Sequence, residues 1–250
     1  MTDNLYHMNP QERFSDRAID YALYRPSYPS EAIDAILKGL SAPSQLIVAD
    51  IGARTGISSR LLADRGIKVI AIEPNAAMRQ AAKPDSLVKF QDGNAENTKL
   101  ENNSVDLVTC FQAFHWFNRE PTLKEFARIL KPKGRLAAVC NNRARQDEFT
   151  AEYSHFTKTV SNNQSELRYA KRFLRETFLF STVTLLTFPA RQVLDRLGLV
   201  GRAMSTSYIP KRKPKEQFIG QLYKLYDKYR DGQSLVYFNS RLITISTNYV

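Results

Sequence analysis

LIVADIGARTGISSRLLADRGIKVIAIEPN, residues 46–75, decides the fold. An apolar run (Leu46, Ile47, Val48, Ala49) leads into Asp50 and the glycine-containing turn Gly52, Ala53, Arg54, Thr55, Gly56. A segment with Ile57, Leu61 and Leu62 at helical core spacing follows, and a second apolar run, residues 69–72, then ends on Glu73. Short apolar runs separated by a helical pattern mark a parallel β-α-β unit whose strands are buried on both faces.

Such a unit binds nucleotides for a geometric reason. Small residues between strand and helix let a ligand lie against the backbone, and N–H groups at the helix start point at it. Glu73 stands 21 residues after Gly52, at the carboxyl end of the second strand. A carboxylate there can accept from both ribose hydroxyls, which suits an adenosine-bearing ligand. The dinucleotide fingerprint places glycines at offsets 0, 2 and 5, whereas this chain has them at 0 and 4.

Asp50, Gly52 and Gly56 resemble instead the D-x-G-x-G-x-G motif of class I S-adenosylmethionine-dependent methyltransferases, with Arg54 standing where the middle glycine belongs. Further stretches carry the same resemblance. FSDRAIDYALYRPSYP, residues 14–29, is similar to the N-terminal lead-in of the methyltransferase type 11 family, including its trans-aconitate-methyltransferase-like members. Glu73, Pro74 and Met78 match the family's acidic-Pro-x-x-x-Met pattern; Gly93, Asn94, Ala95 and Glu96 resemble its G-D-A-E, with Asn94 in place of aspartate; and QAFHWF, residues 112–117, is close to the trans-aconitate-like subgroup.

The resemblance implies S-adenosylmethionine as cofactor. Its contacts would be Tyr21 and Arg25 facing the methionine carboxylate, Asp50, Gly52, Ala53, Arg54 and Gly56 in the turn, and Glu73 with Pro74 at the ribose. Met78, Asn94 and Ala95 would lie at the adenine, and Phe111 with Gln112 after strand four. His115 and Trp116, the only tryptophan, would lie on the substrate side, His115 as the candidate base. Each has a plainer reading: Tyr21 and Met78 as packing residues, Arg25 as a helix cap, GNAEN as a turn, and His115 as a packed or orienting ring.

The remaining elements follow from pattern. Ser30 and Glu31 open a helix after Pro26 and Pro29, and Asn75 can cap another. Strand three is predicted at residues 87–91, strand four at 105–111, a helix at 121–130 and strand five at 135–140. Residues 143–180 are helical and polar. Strand six is predicted at 183–188, a helix and turn around LDRLGLVGRAM, an amphipathic helix from Pro214 and Lys215, and a last strand at 235–247.

By resemblance this is an α/β Rossmann-like seven-stranded sheet, mostly parallel with an antiparallel last strand, and helices on both faces. Residues 1–143 would form the cofactor-binding core with its lead-in helices, 144–180 a small helical cap insertion, and 181–250 the completion of the same sheet, all as one domain.

Cys110 and Cys140 fall in predicted core strands and read as reduced thiols; with three scattered histidines they offer no metal site. No membrane span or signal-peptide core is legible, so a cytoplasmic protein is expected. Net charge is +11, and it is uneven: residues 1–143 hold 19 basic and 16 acidic side chains, residues 144–250 hold 17 and 9. That excess suits an anionic small-molecule acceptor such as a carboxylate. The bland account is solvated lysines and arginines, and the same holds for KRKPK at 211–215. Methylation of RNA or DNA fits poorly, since FQAF stands where nucleic-acid enzymes often carry an Asn/Asp-Pro-Pro-Tyr/Phe tetrad. A further alternative is a methyltransferase-like binding protein that no longer turns over, because Arg54 occupies a position built for glycine.

Overall fold

The computed structural model describes residues 18–143, 147–160, 180–206 and 215–249. Its strands are β1 (Ile47–Ile51), β2 (Lys68–Ile72), β3 (Val88–Gln91), β4 (Val105–Phe111), β5 (Leu130–Arg143), β6 (Phe180–Leu194) and β7 (Leu235–Tyr249). They form one sheet in the order β3-β2-β1-β4-β5-β7-β6. β1 to β5 pair in parallel, whereas β7 runs antiparallel to both β5 and β6. The chain moves outward from β1 to β3, then returns to lay β4 on the other side of β1. A crevice therefore opens beyond the carboxyl ends of β1 and β4, where the order reverses.

The inner strands β1, β4 and β5 serve two cores. Ala49, Val108 and Ala138 face one cluster with Phe126 and Ile129 of α5 (Arg119–Ile129). Their chain neighbours Val48, Leu107 and Ala137 face the other, with Ile33 and Ile36 of α2 (Ser30–Leu37) and Leu62 of α3 (Ile57–Ala63). Side chains alternate along a strand, so burial on both faces demands the continuous apolar runs seen in the sequence. Two further helices are short, α1 (Ala18–Tyr24) and α4 (Ala76–Gln80), the latter capped by Asn75 Oδ1, which accepts from the Met78 N–H at 3.0 Å.

Three boundaries depart from the predicted ones. α5 begins at Arg119 because Pro121 sits in its first turn, where a missing N–H costs nothing. β5 starts at Leu130, opposite Val105, and its register shifts before Leu107 meets Arg135. β6 runs through Pro189 to Leu194; it is an edge strand, where proline is accommodated.

The last helices build their own layer. Phe149 and Tyr153 of α6 (Glu148–Val160) pack with Leu199 of α7 (Arg196–Met204), Leu222 of α8 (Lys215–Tyr229), and Leu194, Leu235 and Tyr237 from the ends of β6 and β7. The two helices predicted beyond residue 181 are present as α7 and α8, and both pack in this cluster. The early lead-in before residue 18, most of the second half of the expected insertion, and the basic run at 211–214 lie outside the described residues.

Candidate functional site

The turn after β1 is built on three residues with left-handed backbone: Gly52 at φ +70°, Arg54 at +54° and Gly56 at +71°. Two of them need to be glycine. A Cβ on Gly52 would stand 2.7 Å from that of Ala113, and one on Gly56 would stand 2.8 Å from Phe90 Cζ. Arg54 holds the same backbone region at a steric cost of about 1–2 kcal/mol.

Asp50 is buried at the end of β1 and serves the frame. Its carboxylate accepts from Ser58 and Ser59 Oγ, both at 2.7 Å, and from Thr109 Oγ1 at 2.8 Å, joining β1, α3 and β4. Burial pushes its pKa up, against the pull of those three hydroxyls. The turn's own N–H groups are also engaged. Gly52 and Ala53 donate to the Ile72 carbonyl, Gly56 donates to the Ala53 carbonyl, and Arg54 donates to Glu73 Oε2 at 2.8 Å. Glu73 Oε1 accepts from the Asn75 N–H at 2.9 Å, so both carboxylate oxygens brace backbone, and burial raises the pKa of this group too. Each carboxylate oxygen retains a second lone pair.

The Arg54 side chain lies across the crevice. Nη1 donates to Tyr21 Oη at 2.6 Å, Nη2 donates to the Gln112 carbonyl at 2.8 Å, and the guanidinium lies 5.1 Å from the Tyr21 ring centroid. Gln112 itself has φ +54°. Burial works against the Arg54 charge, but Tyr21 and Glu73 more than restore it, so the group stays a cation. On the other side Arg25 stacks 4.9 Å from the Tyr21 centroid and donates to the Ser205 carbonyl at 2.9 Å.

The crevice is lined by Tyr21, Arg25, Gly52, Ala53, Arg54, Phe111 and Gln112 of the expected residues. The other expected residues do not line it. Met78 and Trp116 are buried with Tyr21 in one apolar cluster. Asn94 Oδ1 accepts from the N–H groups of Glu96 and Asn97, a local turn, and Ala95 is buried beside the sheet.

His115 has a part-exposed ring, 5.5 Å from that of Trp116. Desolvation first, then the charges of Arg54 and Arg25, push its pKa down to about 3. It is therefore neutral at pH 7 and a weak proton acceptor.

Asn141 also lines the crevice, and sequence reasoning passed it over. Its Oδ1 is buried, and no donor among the described residues reaches it. Its signal was positional: it is the first polar residue after the apolar run of β5, two residues past Val139, which pairs with Phe111. Polar residues at the carboxyl ends of strands flanking a switch point are the ones that meet ligands. Among the described residues no group of three or more His, Cys, Asp or Glu could hold a metal ion, and no helix is long and apolar enough to cross a membrane.

Comparison with known proteins bears on this geometry. Residues 49–138 match the family model described as a methyltransferase domain. An uncharacterized methyltransferase of Schizosaccharomyces pombe is 35% identical over 132 residues, covering 52% of this chain and 53% of that protein. One from Mycobacterium tuberculosis is 40% identical over 126 residues, covering 49% of each. The chain thus spans about half the length of the curated relatives it matches. Among solved structures, a provisionally named type II methyltransferase from Anaeromyxobacter dehalogenans superposes with a TM-score of 0.69 at 20% identity, over 90% of this chain and 98% of that one. A Haemonchus contortus phosphoethanolamine N-methyltransferase in complex with S-adenosylhomocysteine superposes at 0.58 and 13% identity, over 97% of this chain and 59% of its own.

Proposed function

We propose that this chain, whose residues 49–138 match the family model described as a methyltransferase domain, is a class I S-adenosylmethionine-dependent methyltransferase of the methyltransferase type 11 family and transfers a methyl group from S-adenosylmethionine to a small anionic acceptor, a carboxylate in the first instance. The observation that carries this reading is the crevice at the β1/β4 reversal, which presents two guanidinium groups, Arg25 and Arg54, beside a buried acceptor, Asn141 Oδ1. Cations beside an acceptor oxygen are the chemistry that suits the carboxylate and ammonium of a methionine moiety. Glu73, fixed at the end of β2 by two backbone N–H groups, keeps lone pairs for ribose hydroxyls.

The cofactor, when bound, supplies the methyl group already activated on a sulfonium. The protein's share is orientation and exclusion of water. Tyr21, which lines the crevice, packs on buried Met78 and Trp116, and neutral His115 can donate or accept one hydrogen bond to orient an acceptor. A carboxylate is ionised at neutral pH and needs no base, which agrees with the depressed pKa of His115.

The test pairs calorimetric titration of S-adenosylmethionine and S-adenosylhomocysteine with transfer of labelled methyl to a panel of carboxylates, phenols and amines. Transfer confined to amines or phenols would remove the carboxylate preference.

A second reading rests on Arg54 alone. A guanidinium held by Tyr21 and Gln112 across the crevice would close it, leaving a methyltransferase fold that acts as a binding protein. Absence of cofactor binding in the native protein, with binding restored in Arg54→Gly, would establish that reading in place of the first.

A further inference from the structure

The helical cluster outside the crevice holds an arginine that the described residues leave without an acceptor at two of its nitrogens. Arg202 lies on α7, is 7% exposed, and has Nε and Nη1 buried without an acceptor. Its guanidinium stacks 4.3 Å from the centroid of the Tyr237 ring. Tyr237 is fully buried, and its hydroxyl is likewise without a partner. So is Ser154 Oγ on α6, the residue after Tyr153, whose ring packs edge-on against Tyr237 at 5.6 Å. Among the described residues no carboxylate pairs with Arg202.

Guanidinium stays ionised at any physiological pH. A buried charge is ordinarily paired, and a buried N–H ordinarily finds an acceptor, because leaving either unmet forfeits its hydration with nothing returned. Contact with an aromatic face compensates only part of this. Donors left open together, a phenol beside them and no carboxylate from the described residues make a cluster that an incoming anion would complete.

Two hydrogen bonds link this cluster to the crevice wall. Arg25, which lines the crevice, donates to the Ser205 carbonyl, and Ser205 Oγ donates to the Arg202 carbonyl at 2.7 Å. α7 is also pressed against α1 at Gly201, where a Cβ would fall within the Tyr24 ring. Arg202 thus stands one helical turn from the residue that ties the crevice wall to the cap.

We propose that Arg202 and the Tyr237 hydroxyl bind an oxyanion, carboxylate or phosphate, on the methyl acceptor, so that the cap selects acceptors by a charged group distant from the methylated atom. This rests on the methyl-transfer reading of the neighbouring crevice. A planar fork of donors suits both oxyanions.

The experiment measures melting temperature at constant ionic strength, with chloride as control, for the native protein and for Arg202→Gln and Tyr237→Phe. The probes are succinate, citrate and inorganic phosphate. Succinate or citrate alone stabilising the native protein assigns a carboxylate; phosphate alone assigns a phosphate. Affinity is expected to fall by about tenfold to a hundredfold in Arg202→Gln and less in Tyr237→Phe. Without ligand, Arg202→Gln should melt no lower than the native protein, because it removes an unpaired charge; a purely structural arginine would lower it. Indifference of the native protein to all three probes, or equal responses in native and Arg202→Gln proteins, overturns the proposal. Titration of S-adenosylmethionine in parallel separates the two ideas: cofactor binding without anion binding removes this site alone, and anion binding without cofactor binding removes the methyl-transfer reading while the anion site stands.

Discussion

Replacing Arg54 by glycine changes one side chain and bears on the whole functional reading. The guanidinium holds two charge-assisted hydrogen bonds, to Tyr21 Oη and to the Gln112 carbonyl. At about 1.5–3 kcal/mol each, moving it aside costs about 3–6 kcal/mol. Re-bonding to a carboxylate on the incoming ligand returns about half of that. The native protein should therefore bind S-adenosylhomocysteine about 1.5–3 kcal/mol more weakly than Arg54→Gly, a factor of about ten to 150. The variant keeps the backbone N–H that donates to Glu73 and relaxes a left-handed φ of +54°, which offsets about 1 kcal/mol of the lost contacts. Isothermal titration calorimetry on both proteins, with urea denaturation as a check on folding, gives the comparison. Weaker binding in the glycine variant would refute the reasoning: it would show that the guanidinium grips the ligand from where it stands and obstructs nothing.

Other perturbations test the frame around the site. His115 has its folded pKa depressed to about 3 from 6.5; a depressed group contributes stability present above the unfolded value and lost as pH falls toward the folded one. Native protein should lose stability between pH 6.5 and 3, on the order of 2 kcal/mol of it through this part-exposed ring. His115→Gln should flatten urea midpoints over that range, and no rate-controlling ionisation near pH 6.5 should trace to this residue. Asp50→Ala leaves the hydroxyls of Ser58, Ser59 and Thr109 without their shared acceptor, at a cost of about 2–4 kcal/mol by denaturation; unchanged cofactor affinity per folded molecule would identify Asp50 as frame. Gly56→Ala places a Cβ 2.8 Å from Phe90 Cζ at φ +71°, which should lower stability by about 1–3 kcal/mol, and an unshifted midpoint would show that the turn relaxes freely.

The sheet was readable because its cause is local. A strand buried on both faces must be apolar at nearly every position, so β1, β2 and β4 announce themselves as runs, and a left-handed turn favours glycine at 52 and 56. Element boundaries were less readable where pairing overrides pattern, as in β6, where the edge position tolerates Pro189. Residues of the site were legible in their places along the chain and much less in their roles. The sequence placed Asp50 in β1 and Glu73 directly after β2; only packing decided that Asp50 spends its carboxylate on three hydroxyls, and that Glu73 braces two backbone N–H groups. Arg54 was conspicuous in the sequence, but whether it pointed to solvent or into the site depended on Tyr21 and Gln112, 33 and 58 residues away. Asn141 and Arg202 were not singled out in the sequence as site residues. A hydrogen bond forgone or a charge left unpaired is a property of what surrounds a side chain, and those surroundings come together only when distant segments pack.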